Sequence, residues 1–204
     1  MIRVYWLDCS LLFDEQELTR VLPYLDAERR KKTLRLKTAE RRAQSAGAGL
    51  LLRHVFGEAE YTYGKNGKPY LKGRSDLYFS LSHSERYVVC AVSDSEIGVD
   101  IEPVSPIRPA VMHRCFTPEE QAWIGNDPER FTRLWTMKEA YMKLTGSGLS
   151  VPAKNILLPI PPKVGKDVQL NCYWSFPKID LICSVCTQKS QAMKRISVNV
   201  KDLL

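Results

Sequence analysis

The chain has 204 residues, 44% of them hydrophobic and 26% charged, with a formal net charge of +7. This is ordinary globular composition, and the length suffices for one large domain or two small ones with separate cores. No stretch approaches the roughly 20 apolar residues of a membrane span, and Asp8 follows the N-terminal apolar run too soon for a secretory leader, so a cytoplasmic protein with no membrane role is expected.

Residues 2–7 have the pattern of a strand, and helical segments are expected near 14–22, 26–37 and 39–56. Eight of the 30 bases (Arg29, Arg30, Lys31, Lys32, Arg35, Lys37, Arg41 and Arg42) and one of the 23 acids (Glu40) fall within residues 29–42. The rest of the chain is therefore balanced, and the excess charge is local. Such a run is usually a solvated helix face, yet it also suits a phosphate ligand or an acidic protein partner. It contains no aromatic residue to stack on bases, which argues against a nucleic-acid interface. In the third segment the small residues Ala43, Ala46, Gly47 and Gly49 predict close packing against a neighbour.

Residues 63–69 form a turn-rich break containing Gly67, Lys68 and Pro69, and strand candidates follow at 77–82, 87–93 and 97–102. In Ile97-Gly98-Val99-Asp100-Ile101-Glu102 the pleat sends Ile97, Val99 and Ile101 to one face and Gly98, Asp100 and Glu102 to the other. Two carboxylates on one face repel unless water or a cation separates them, so the pair is half of a Mg²⁺ site or a strand end meeting solvent. The proline-spaced run at 103–109 is the best internal boundary.

Beyond it, Thr117-Pro118-Glu119-Glu120 has capping-box spacing, and Asp127-Pro128 opens a longer helix that Gly146 is placed to close. Along that helix Phe131, Leu134, Met137, Tyr141 and Leu144 make an apolar stripe, with Glu139 and Lys143 four apart on another side. Runs at 170–176, 181–187 and 194–200 read as mostly strand. Cys183-Ser184-Val185-Cys186 is formally a CxxC, but no second ligand pair accompanies it, and a buried strand with small apolar fillers is the simpler reading. The order strand, helices, strands recurs, so an α+β fold of two halves is expected, residues 1–105 and 106–204.

Four blocks in this order resemble the 4′-phosphopantetheinyl transferases of the Sfp type: Gly67-Lys68-Pro69; Phe79-Ser80-Leu81-Ser82-His83-Ser84; Gly98-Val99-Asp100-Ile101-Glu102; and Trp135-Thr136-Met137-Lys138-Glu139-Ala140-Tyr141-Met142-Lys143. The last matches the family pattern W-x-x-K-E-A-x-x-K at every fixed position, and the Gly146-Ser147-Gly148-Leu149-Ser150 tail also fits. The resemblance implies two similar α+β halves packed with pseudo-two-fold symmetry, and a coenzyme A site between them. It implies a monomeric enzyme that moves phosphopantetheine from coenzyme A to a serine of an acidic acyl or peptidyl carrier protein, with Mg²⁺ as cofactor, releasing adenosine 3′,5′-bisphosphate. By similarity Asp100, Glu102 and Glu139 would be metal ligands, Glu139 the general base and Lys143 the group that stabilises the leaving pyrophosphate. Gly67, Lys68 and Pro69 would line the adenine pocket, His83 and Ser82 would sit at a phosphate, and Arg29 and Lys32 would meet the 3′-phosphate.

The chain departs from the family at Gln44, where arginine is frequent, and at Ser80, where asparagine is. A non-catalytic coenzyme A or carrier-domain binder is the principal alternative, but it predicts an eroded carboxylate triad. A phosphodiesterase built on the same carboxylates would release phosphopantetheine with no carrier present.

Overall fold

The computed structural model describes residues 1–162, 173–176, 181–188 and 191–204. The chain opens with β1 (Ile2–Asp8), which enters a helical stretch of α1 (Glu15–Val21), α2 (Ala27–Arg35) and α3 (Ala39–Phe56). Each of these helices starts at a side-chain cap: Asp14, Asp26 and Thr38 accept from backbone N–H groups of the first turn, which explains the sharp starts. A short hairpin, β2 (Tyr61–Tyr63) and β3 (Pro69–Leu71), then leads to β4 (Tyr78–Ser84), β5 (Tyr87–Ser93) and β6 (Ile97–Pro103). The second part contains α4 (Pro109–Cys115), α5 (Pro118–Ile124), α6 (Pro128–Thr145), β7 (Tyr173–Phe176), β8 (Leu181–Thr187) and β9 (Met193–Val198).

The elements form an α+β fold whose sheets are shared between the two parts of the chain. One sheet has the order β4-β5-β1-β9, with β9 parallel to β1; a second has the order β6-β8-β7 and is antiparallel. Both sheets therefore take strands from either side of residue 105.

Three apolar layers hold the structure together. Alternate residues of β1 and β5 (Leu7, Val88, Cys90, Val92) pack on α3, while the others (Ile2, Val4, Val89, Ala91) face Ile97, Val99 and Ile101 of β6 and Cys183 and Val185 of β8. A third cluster joins α6, through Phe131, Leu134, Met137 and Ala140, to Phe116, Ile124 and Cys186. The order is helix, sheet, sheet, helix, and a strand buried on both faces explains the fully buried β5 and β8.

Close contacts at three glycines, with side chains at Gly47 and Gly49 and with backbone at Gly98, set the spacing of these layers. A Cβ on Gly47 would lie 2.2 Å from Cys9 Sγ, and one on Gly49 would lie 2.7 Å from Leu25 Cδ2, as the small-residue run of α3 anticipates. The tightest contact is at Gly98, where a Cβ would stand 1.9 Å from the carbonyl oxygen of Ala140. Gly98 thus lets α6 lie directly on β6.

Several expectations shift against this structure. Pro109, the last proline of the 103–109 run, takes the first turn of α4, where its missing N–H costs nothing. The last apolar run divides into β9 and a 3₁₀ turn at Val200–Leu203. Of the run at 170–176, residues 173–176 form β7 and 170–172 lie outside the described residues. Cys183 and Cys186 are buried on opposite faces of β8, in different apolar clusters, so they neither pair nor present a joint metal site. Among the described residues no helix is long and apolar enough to cross a membrane.

Candidate active site

The face of β6 that carries Gly98 and Asp100 is covered by α6, and this contact brings the acidic strand to the Glu139–Lys143 side of the helix. The helix runs from Pro128 to Thr145, with Asp127 accepting from Glu129 N and Arg130 N at its start and Gly146 in the left-handed conformation (φ +65°) after its end. Asp100 is 4% exposed, and its Oδ1 accepts from Lys143 Nζ at 2.7 Å and from Ser82 Oγ at 2.9 Å. Its other oxygen, Oδ2, is buried with no hydrogen-bond partner. An orphaned carboxylate oxygen in a buried site is costly unless something else occupies it.

Glu102 and Glu139 complete an acidic group that feels its own repulsion. Burial pushes the Glu102 carboxyl up, Asp100 and Glu139 add to the rise, and Arg108 and Lys143 oppose it. Burial also pushes Glu139 up, again helped by Asp100 and opposed by Lys143. The only side-chain hydrogen bond at Glu102 among the described residues is a long one from Ser84 Oγ, at 3.4 Å. Three His, Cys, Asp or Glu side chains are nowhere drawn, among the described residues, into a group that could cage a metal ion alone. The donor set still fits Mg²⁺, which takes one or a few carboxylates and completes its shell with water and ligand phosphate. The unpartnered Oδ2 of Asp100 and the strained charges of Glu102 and Glu139 are what such an ion would relieve.

Basic groups adjoin the acids. His83 is held below its usual imidazole pKa first by burial, then by the positive charges of Lys143 and Lys32. Lys143 and Lys32 thus both act on His83, and positive charge gathered around one imidazole suits an anionic ligand. Arg29 lies one helical turn before Lys32 on α2. Its stem packs where a Cβ on Gly49 would be, 2.8 Å from Arg29 Cγ, and its charge is felt at Tyr61. Gln44, where the family often has arginine, is buried and donates to Glu85 O on the β4–β5 turn at 2.6 Å, so it is part of the scaffold.

Gly67, Lys68 and Pro69 line a cleft of about 310 Å³ together with Phe79, Leu81, Glu139, Met142, Lys143 and Gly148. Gly67 needs its glycine, because its φ is +82°. The Lys68 ammonium is taken up by the protein: it pairs with Glu96 and donates to Leu144 O at 2.6 Å and Ile97 O at 3.4 Å. Asn66 donates to Gly146 O at 2.8 Å, so the hairpin turn caps the C-terminal carbonyls of α6. Lys68 contributes its stem to the cleft and its charge to the helix end.

Ser82 sits under the site and has no capacity to spare. A hydroxyl offers one donor and two acceptor positions. Ser82 Oγ donates to Asp100 and accepts from Lys143 Nζ at 2.9 Å and Ile101 N at 3.4 Å. Ser80 similarly accepts from Val99 N at 3.1 Å, so two β4 hydroxyls satisfy the free edge of β6. Sequence reasoning missed this stitching, and also Lys138, which is fully enclosed and pairs with buried Glu120 at 2.9 Å. The alternation of polar positions in Ser80-Leu81-Ser82 was the available signal for the first. The second had none, since Glu120 and Lys138 lie on different helices.

Comparison with known proteins adds an independent line. Residues 96–189 match the model of the 4′-phosphopantetheinyl transferase superfamily. A 4′-phosphopantetheinyl transferase of Bacillus subtilis is 32% identical over 165 residues, 72% of this chain and 70% of that protein. The Sfp transferase of Bacillus subtilis strain 168 is 28% identical over 164 residues, 74% of this chain and 73% of its own length. The transferase HetI of a Nostoc species is 33% identical over 154 residues, covering 66% and 64%.

Proposed function

The chain belongs to the 4′-phosphopantetheinyl transferase superfamily and transfers phosphopantetheine to carrier proteins, and from that premise we propose how its residues carry out the transfer. The observation that carries the reading is the seating of α6 on β6 through Gly98, which joins Asp100 to Lys143 beside Glu139 and the Gly67–Pro69 cleft.

Coenzyme A would lie along that cleft, with its adenine against Gly67 and Pro69 and its phosphates toward Lys143, His83 and Lys32. Asp100, Glu102 and Glu139 would hold Mg²⁺, which when bound supplies positive charge to the pyrophosphate. The carrier serine Oγ forms a bond to the phosphorus that bears pantetheine, and the bond to the departing adenosine 3′,5′-bisphosphate breaks. The serine proton passes to Glu139, directly or through one water; burial raises the basicity of this carboxylate, which suits a general base. Lys143 neutralises charge that builds on the leaving phosphate. A transfer of this kind is promoted mainly by positioning and charge, which is what these residues provide.

We further infer a monomer of two similar halves acting in the cytoplasm. Each long helix, α3 and α6, covers its own sheet, and one chain supplies both walls of the cleft, which supports a complete site in a single copy. Carriers would be acidic, attracted by the bases of residues 29–42, and a transfer rate indifferent to ionic strength would count against that attraction.

The test is the intact mass of an apo carrier incubated with this protein, coenzyme A and Mg²⁺. A gain of one phosphopantetheine unit is expected, and it should disappear with chelator. Asp100→Ala should lower the rate by at least about a thousandfold with circular dichroism unchanged. Full activity in that variant removes the assignment of Asp100.

A further inference from the structure

Lys143 stands where a metal would be expected to have its charge. It is 31% exposed at the side chain, against 6% for Asp100, and among the described residues its ammonium bonds only to Asp100 Oδ1 and Ser82 Oγ. In this state Asp100 has one oxygen held twice and the other held by nothing. A dication brought to the second oxygen would meet the ammonium across the same carboxylate, and like charges so close in a partly buried site weaken each other's hold on it.

We propose that Lys143 is the resident counter-ion of Asp100 and gives up that place when a divalent cation binds, which frees its ammonium for an anionic ligand. The inference rests on the metal reading above and adds an order to it: cation first, then a lysine released toward phosphate. Ser82 is the positioning residue for this exchange. Its hydroxyl holds both partners at once, with its one proton given to Asp100. When Lys143 leaves, Ser82 keeps its bonds to Asp100 and Ile101 N, so the carboxylate does not turn away with the lysine. Cation and anion then bind with positive coupling that runs through one side chain, and reciprocity requires each to favour the other.

Two measurements without coenzyme test this. In the wild-type protein, acetic anhydride labelling resolved by peptide mass spectrometry should be slow at Lys143 and rise about fivefold or more at saturating Mg²⁺, with enclosed Lys138 unchanged as a control. In calorimetric titration with Mg²⁺ alone, Lys143→Gln should bind the ion about fivefold or more tightly than wild type, because the competing ammonium is gone. Equal Mg²⁺ affinity in both proteins, with Lys143 labelling unmoved, overturns the exchange while leaving the metal site standing. Absence of Mg²⁺ binding in both overturns the metal assignment and the exchange with it. The labelling arm needs no variant, so a folding defect in Lys143→Gln does not hide the answer.

Discussion

Lys138 and Lys143 lie five residues apart on one helix and belong to one motif, yet they sit in opposite kinds of surroundings. Lys138 is fully enclosed: it pairs with Glu120 and donates to Ala153 O at 2.8 Å and Ile156 O at 2.7 Å, so all three of its protons are used. Burial pushes its pKa down and the bond to Glu120 holds it up. Lys143 keeps part of its surface in solvent, and its carboxylate partner has an oxygen to spare. A lysine whose every proton has a fixed protein acceptor is a fastener, here joining α5, α6 and the turn at 153–156. A lysine whose partner is left half satisfied is available for exchange.

The distinction is open to measurement. Lys138→Met leaves Glu120 buried and unpaired and should lower the unfolding free energy by about 3–5 kcal/mol in urea, with most of the loss recovered when Glu120→Leu is added. Lys143→Gln keeps an amide N–H for Asp100, which also retains its bond from Ser82, and should cost less than Lys138→Met in the same experiment while transfer suffers. Similar losses at the two positions would break the comparison.

The smallest effect concerns Glu139. Its folded pKa is raised, so protonation favours the fold: that contribution is fully present below the ordinary value of 4.5 and is lost as pH rises through the raised value. With chelator present, Glu139→Gln should therefore melt about 2 °C above wild type at neutral pH, and the gap should close as pH falls below 4.5. A variant less stable than wild type at neutral pH would mean that Glu139 already has a strong cationic partner.

Much of this arrangement is legible in the sequence where the signal is local. Strict alternation from Ile97 to Glu102 gave the strand and its faces, and Asp127-Pro128 with Gly146 bracketed α6. What stays hidden is long-range pairing. The resemblance puts Lys68 in the lining of the adenine pocket, but nothing local shows that its ammonium goes to Leu144 O, 76 positions away. Ser82 is placed beside a phosphate only by the resemblance, and its three partners come from β6 and α6. Gly98 carried a readable warning, since glycine inside a strand signals close approach of another backbone, but not which backbone.

The sharing of strands has a consequence for how the cleft can move. The chain passes from the first sheet to the second between β5 and β6 and returns between β8 and β9, while Ser80 and Ser82 bind a third seam. A door hung on hinges along both edges does not swing. Parting the two sheets as a clamshell would strain both chain crossings and the bonds from β4 to β6. Side chains that line the groove, Lys143 among them, can move without disturbing either crossing.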